Sequence, residues 1–194
     1  CLLASTFGLY LGGMVLNDVF DAKLDAVERP ERPIPSGRIS RKAATILGVV
    51  LTVVGVIAAA CVGVPSLLIA MLIVPAVLIY NSFLKSTIAA PLGMATCRFL
   101  NLMLGASAVS EIAGLWNAIP LCIAAGLGLY ILGVTVFARN EAGNVKRSGL
   151  IVGVLLLLCG LGLDAWTISR STSPETVIKG SLMGVVTAIE ISRA

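Results

Sequence analysis

Long runs of apolar residues dominate this chain and restrict it to one class of fold. A search for runs of about 17 to 25 residues, the length of a helix that crosses a bilayer, gives the candidate spans. They lie at residues 1–16, 43–62, 66–80, 91–109, 118–137 and 149–164, with a further one beginning at Ser181. Polar residues do not alternate through these runs as they would in barrel strands. The sequence therefore predicts an all-α, polytopic transmembrane helical bundle, with six to seven spans represented.

Composition supports a membrane protein and excludes several other classes. Of the 194 residues, 58% are hydrophobic and only 12% are charged, about half the charged fraction of a typical soluble domain. The chain has no His, and its five Cys residues show no metal-ligand spacing, which excludes zinc sites and cysteine–histidine catalysis. The net charge of +4 is modest, and no nucleic-acid partner is expected.

Both ends of the chain lie inside apolar segments. Cys1 opens the first run without a charged leader, and the run from Ser181 is cut short. We therefore expect a single transmembrane domain over residues 1–194, as a fragment truncated at both ends.

Basic residues are distributed unevenly among the polar connections. The connections at residues 17–42, 81–90 and 138–148, with Arg98 just after the second, hold 11 of the 14 Lys and Arg residues. The intervening connections hold only Arg170 and Lys179, and Arg193 is assigned to neither side. By the positive-inside rule, the basic side is predicted to be cytoplasmic, and a site built from its polar residues would open there.

Four oxygen-bearing side chains follow the first apolar run directly. Asn17, Asp21 and Asp25 are spaced by four residues, which on a helix places them along one face, and Asp18 adds to the cluster. Carboxylates this close repel one another unless a cation lies between them. Mg²⁺ prefers oxygen ligands and commonly bridges carboxylates to substrate phosphates. The spacing therefore predicts a diphosphate held through Mg²⁺ at the membrane boundary, with its apolar tail in the bilayer.

A segment rich in proline and arginine comes next, at residues 29–40. Arg29 and Arg32 are suited to bidentate phosphate contacts. The pair Ser36-Gly37 predicts a turn, and Ser40 is expected near the N-cap of the following helix. The alternative interpretation is a solvated loop whose charges only set the topology.

The stretch NDVFDAKLDAVERPERPIPSGRIS at residues 17–40 resembles the first aspartate-rich motif of the UbiA family of intramembrane prenyltransferases. The resemblance implies an all-helical bundle of about nine spans in the full protein. It also implies transfer of a prenyl chain from a polyprenyl diphosphate, held through Mg²⁺, to an aromatic or lipid acceptor. Carried over to this chain, it implies catalytic roles for Asp21 and Asp25, diphosphate binding by Arg29 and Arg32, and metal binding by Asn17, Asp18, Asp21 and Asp25.

Two further polar stretches agree with this resemblance. Residues 80–85, YNSFLK, are similar to a Tyr-x-x-x-Leu-Lys element of the family, so Tyr80 and Lys85 are implied to contact the diphosphate. Arg98 and Asn101 lie within an apolar span, where polar groups tend to face a cavity or a partner, and they are further candidates. The alternatives are that Lys85 anchors the topology and that Arg98 extends to the lipid headgroups.

The chain departs from the family's pattern at residues 136–149, VFARNEAGNVKRSG. Where the second aspartate-rich motif has Asp-x-x-Gly-Asp, Asn140 and Asn144 occupy the aspartate positions, and Glu141 is the only acid. Amide oxygens carry no charge, so a second Mg²⁺ would be held more weakly.

Two basic residues of the same segment, Lys146 and Arg147, would then contact phosphate oxygens directly. The segment resembles a divergent branch of the family, such as the EboC-like membrane proteins.

The predicted protein is thus a multi-pass integral membrane prenyltransferase, in the plasma or inner membrane if bacterial, with its site on the cytoplasmic side. The second hypothesis is a non-catalytic binder or transporter of a prenylated or phosphorylated lipid, favoured by the missing aspartates at positions 140 and 144. The third is an unrelated transporter or channel.

Overall fold

A computed structural model describes residues 1–108, 118–142 and 147–170, and over these residues the chain is helical, with no strand. Five of the helices are long and apolar enough to cross a membrane, which confirms the predicted all-α, polytopic fold. The segment from Ser181 lies outside the described residues. The helices are α1 (Leu2–Glu28), α2 (Arg41–Ala60), α3 (Val64–Ser82), α4 (Ala90–Ala106), α5 (Ala118–Ala142) and α6 (Arg147–Arg170), with a short 3-10 turn at Leu84–Ser86.

The first helix is longer than its apolar run. The polar connection predicted to begin at Asn17 is helical as far as Glu28, because a helix can continue beyond the bilayer with polar residues. It ends there because Arg29 precedes Pro30, and a residue before proline is disfavoured in the α conformation. The acidic cluster therefore lies on the polar extension of a membrane-spanning helix.

Two other helices also differ from their predicted bounds. Helix α3 extends beyond the predicted run at both ends and continues through Pro75. Membrane helices tolerate an internal proline of this kind. Helix α4 has 17 residues and ends at Ala106 rather than at Val109, and it is the one described α-helix outside the set of five candidate spans.

The chain divides into two compact units, Cys1–Ile88 and Ala89–Ala194. That residues 1–194 form a single domain stays a prediction. In the first unit, α1 packs against α2 and α3. Glycines allow the α1 and α2 backbones to approach closely: a Cβ built on Gly8 would lie 2.8 Å from Gly55 Cα, and one built on Gly55 would lie 2.8 Å from Leu9 N. Small residues at such contacts are the usual basis of helix association in membranes.

The described helices of the second unit are α4, α5 and α6, and α5 contacts both of the others. Glycines again form the contact between α5 and α6. A Cβ built on Gly133 would lie 2.5 Å from Leu157 N, and one built on Gly160 would lie 2.5 Å from Gly126 O. Because the obstructing atoms belong to the backbone, a larger residue at either position must separate the two helices.

We predict that Gly160→Ala lowers the thermal stability of the protein in detergent, whereas Gly162→Ala does not. The added methyl group of the first variant meets the α5 backbone, which should cost about 1 to 3 kcal/mol. Gly162 is on the same helix and has no atom within 4 Å of a built Cβ, so alanine there should improve helix propensity by about 0.5 to 1 kcal/mol. Equal melting temperatures for the two variants would contradict this packing.

Candidate functional site

The polar extension of α1 carries two pairs of oxygen-bearing side chains. Successive helical residues are rotated by about 100°, so Asp18 and Asp25 lie within about 20° of each other, and Asn17 and Asp21 within about 40°. The helix therefore presents Asn17–Asp21 and Asp18–Asp25 in two adjacent directions. Each pair contacts a different basic residue.

Lys85 binds the Asn17–Asp21 pair. Its Nζ donates a hydrogen bond of 3.2 Å to Asn17 Oδ1 and forms an ion pair with Asp21 Oδ1. The Lys85 and Asp21 side chains are only 24% and 21% exposed, so the contact is largely shielded from solvent. Two oxygens from successive turns of α1 thus converge on one cation.

Asn81 holds the segment that carries Lys85 against α1. It is buried, and its Nδ2 donates a hydrogen bond of 3.2 Å to Gly13 O, one turn before Asn17. The helices are close here, since a Cβ built on Gly13 would lie 3.0 Å from Val77 Cγ1. The sequence analysis did not select Asn81, although an amide directly after an apolar run is a recognisable signal.

Arg32 binds the Asp18–Asp25 pair. Its Nη1 donates to Asp25 Oδ2 at 2.9 Å and to Asp18 Oδ1 at 3.3 Å, and the Asp25 side chain is only 8% exposed. The hydrogen bond with Asp25, followed by the negative charges of Asp25 and Asp18, raises the pKa of Arg32, so its guanidinium stays charged. Its Nε and Nη2 form no hydrogen bond with the part of the chain that the structure describes.

A series of turns returns the chain from Arg32 to α2. Ser36 N donates to Arg32 O at 2.9 Å and Gly37 N to Ile34 O at 3.1 Å, with Gly37 in the left-handed region at φ 77°. Ser40 Oγ then accepts from Ala43 N at 3.2 Å as the N-cap of α2. Both the predicted turn at Ser36-Gly37 and the predicted cap are confirmed.

The Asn17–Asp21 pair fits a divalent cation. The Lys85 ammonium is a stand-in for such an ion, because it shows that both oxygens face one point. No group of three or more His, Cys, Asp or Glu side chains that could hold a metal occurs within residues 1–108, 118–142 and 147–170. Mg²⁺ is suited to this sparse set, since it is commonly held by one or two carboxylates together with waters and substrate phosphates.

The other predicted residues of the first unit lie on α1, on α3 and in the loop after α1. Arg29 is exposed immediately after α1, and Tyr80 is half-buried near the end of α3. Asp18 and Asp25 contact Arg32 rather than the point at which Asn17 and Asp21 converge. The metal-binding and diphosphate-binding roles of these residues stay predictions, as do those of Asn17, Asp21, Arg32 and Lys85.

The other candidates belong to the second unit. Arg98 and Asn101 are half-buried on α4, and Arg147 is exposed at the start of α6. Asn140 and Glu141 lie in the last turn of α5, and their side chains are outside the described set, as are Asn144 and Lys146 altogether. Their roles stay predictions.

A sequence model of the UbiA prenyltransferase family matches residues 1–150. Three similar curated proteins are all named digeranylgeranylglyceryl phosphate synthase. The one from Ignicoccus hospitalis is 30% identical over 161 residues, covering 77% of this chain and 52% of the relative. The one from Saccharolobus solfataricus is 31% identical over 148 residues, covering 74% and 52%. The one from Metallosphaera sedula is 41% identical over 101 residues, covering 52% and 36%.

The chain thus spans about half the length, or less, of these curated relatives. No solved structure matches it.

We predict that Arg32→Met loosens the loop at residues 29–40, whereas Arg29→Met does not. Among the described residues of this loop, Arg32 is the one whose side chain forms ion pairs with Asp18 and Asp25, and a partly exposed ion pair of this kind stabilises by about 1 kcal/mol. Hydrogen exchange at the amides of Ser36 and Gly37 should therefore be roughly fivefold faster in Arg32→Met. The same exchange rates in both variants would show that the ion pairs do not hold the loop.

Proposed function

The chain belongs to the UbiA prenyltransferase family, and on that premise we propose that it moves a prenyl chain from a polyprenyl diphosphate to a lipid acceptor with Mg²⁺. The observation that carries the proposal is the convergence of Asn17 Oδ1 and Asp21 Oδ1 on one cation at the polar end of α1. An anionic substrate with an apolar tail suits this position, because the head would meet the polar extension while the tail enters the apolar part of the bundle.

The curated relatives support a lipid acceptor over an aromatic ring. Their shared name describes the synthesis of a glyceryl phosphate that carries two geranylgeranyl groups. We therefore propose a geranylgeranyl diphosphate donor and a glyceryl phosphate acceptor that already carries one geranylgeranyl group.

The residues of the first unit divide the binding of the donor head between them. Asn17 and Asp21 would hold Mg²⁺, which supplies positive charge to the leaving diphosphate. Arg32 is oriented by Asp25 and Asp18 through Nη1, which leaves Nε and Nη2 to donate to phosphate oxygens. Arg29 is exposed beside this group and would add a second guanidinium.

Further ligands are proposed from the sequence resemblance. Tyr80 and Lys85 would contact the diphosphate from the end of α3 and the turn after it. The resemblance also implies four diphosphate ligands and three metal ligands later in the chain. These are Arg98, Asn101, Asn140, Glu141, Asn144, Lys146 and Arg147.

The proposed reaction breaks the bond between the prenyl carbon and the diphosphate oxygen, and the electron pair leaves with the diphosphate. The acceptor hydroxyl oxygen bonds to the same carbon and loses its proton. Asp21 and Asp25 are the two candidates to accept that proton. The apolar helices exclude water, which would otherwise capture the prenyl cation. We place this site on the cytoplasmic side from the distribution of basic residues.

We predict that Asp21→Asn reduces prenyl transfer by about 100-fold or more, since it removes a charge that holds the cation opposite the leaving group. The measurement is diphosphate release from purified protein supplied with geranylgeranyl diphosphate, geranylgeranylglyceryl phosphate and Mg²⁺. Glu28→Gln is the matched control, because Glu28 is an exposed acid at the end of the same helix and loses the same charge. Its activity should stay within about twofold of wild type.

Two results would overturn the proposal. Full activity in Asp21→Asn would show that this carboxylate does not take part in the reaction. Binding of the labelled donor by the wild type, with no diphosphate release over a panel of lipid and aromatic acceptors, would instead support the non-catalytic lipid binder or transporter.

A further inference from the structure

The contact between Lys85 and the Asn17–Asp21 pair has a consequence for metal binding. We infer that Lys85 is an exchangeable cation, whose ammonium occupies the two α1 oxygens before the metal binds and releases them to it. This inference rests on the proposed function, because it concerns the same metal site, and it adds an internal competitor to that site.

The two cations compete for these oxygens. Lys85 Nζ lies 3.2 Å from Asn17 Oδ1 and forms an ion pair with Asp21 Oδ1. A Mg²⁺ ion bound to the same atoms would lie about 2.0 to 2.1 Å from each oxygen, within contact distance of the ammonium. Two adjacent positive charges in a shielded site repel strongly, so binding of the metal requires Lys85 to leave.

The segment around Lys85 allows the side chain to move while the backbone stays. Asn81 fixes the end of α3 to α1 through Gly13 O, which keeps the turn at Leu84–Ser86 beside the cluster. The ammonium of Lys85 is attached to a flexible four-carbon stem, and the side chain as a whole is partly exposed. Once displaced, it would still lie within reach of a metal-bound phosphate, to which its three N–H groups can donate.

The second basic residue of the cluster is held differently. Arg32 contacts Asp25, whose side chain is only 8% exposed, and it reaches Asp18 with the same nitrogen. A planar guanidinium between two carboxylates loses both contacts when it moves, and neither carboxylate shares the point occupied by Lys85. We therefore expect Arg32 to stay in place while Lys85 exchanges.

The experiment measures Mn²⁺ binding to the purified protein by electron paramagnetic resonance, without diphosphate or acceptor. Removing the competitor in Lys85→Met should tighten Mn²⁺ binding by about five- to tenfold, the effect of losing an ion pair of about 1 kcal/mol. Lys85→Arg keeps the positive charge and should not tighten binding. Lys23→Met is the matched control, because Lys23 is exposed on α1 between Asp21 and Asp25 and its loss changes the net charge equally. It should change binding by less than about twofold.

Each outcome decides between the exchange and its alternatives. Unchanged or weaker Mn²⁺ binding in Lys85→Met would overturn the exchange and make Lys85 a structural support of the cluster. If Lys23→Met tightened Mn²⁺ binding as much as Lys85→Met, the change in net charge would explain the effect and the exchange would be contradicted. If neither the wild type nor Lys85→Met binds Mn²⁺, the metal site itself is wrong. None of these measurements depends on prenyl transfer, so a failure of the proposed reaction would be seen separately.

A second measurement uses the wild type and therefore does not depend on the folding of a variant. Acylation of lysines by a water-soluble reagent, followed by mass spectrometry, should label Lys85 about fivefold faster after Mg²⁺ is added, because the amine leaves its two acceptors. Lys23 is the internal reference and should react at the same rate with and without Mg²⁺. A Lys85 labelling rate that does not respond to Mg²⁺ would contradict the exchange.

Discussion

The organisation of the first unit depends on neutralising the acidic end of α1. Three carboxylates and an amide lie within about two turns of one helix, and carboxylates this close destabilise it unless cations are near. The cations come from segments outside the helix: Arg32 from the loop that follows, and Lys85 from the turn after α3. Because each basic residue binds two oxygens, the same contacts that neutralise α1 also fix the loop and the end of α3 beside it.

The membrane explains why this cluster lies where it does. Within the bilayer the backbone must satisfy its own hydrogen bonds, so spans are helical and associate through close contacts such as those of Gly8 with Gly55 and of Gly160 with Gly126. Charged groups are costly there and belong at the end of a span. Helix α1 meets both requirements, since its first part packs through glycines and its last part, beyond Leu16, carries the acids.

The sequence predicted the local features well and the long-range contacts poorly. The four-residue spacing of Asn17, Asp21 and Asp25, the turn at residues 36–37 and the cap at Ser40 are each determined by neighbouring residues. The end of α1 at Glu28 also has a local cause in Pro30, although the loop was expected to begin earlier. The contacts of Lys85 and the buried hydrogen bond of Asn81 could not be predicted in this way. Each of them joins residues 64 to 68 positions apart, and their geometry is set by the packing of α3 on α1.

The net charge of the cluster would change sign when a divalent cation binds. Asp18, Asp21 and Asp25 together with Arg32 and Lys85 carry a single net negative charge, which attracts a cation without strong repulsion among the acids. On the proposed function, a bound dication makes the same cluster net positive, and a diphosphate is then attracted where it was repelled before. Asn17 contributes to this balance, because an amide supplies a ligand oxygen without a fourth negative charge. On the inferred exchange, Lys85 contributes as well, because its ammonium would release the two oxygens to the metal and remain within reach of the phosphate. On the proposed function, such a cluster would bind the metal first and the diphosphate second, an order that follows from charge alone.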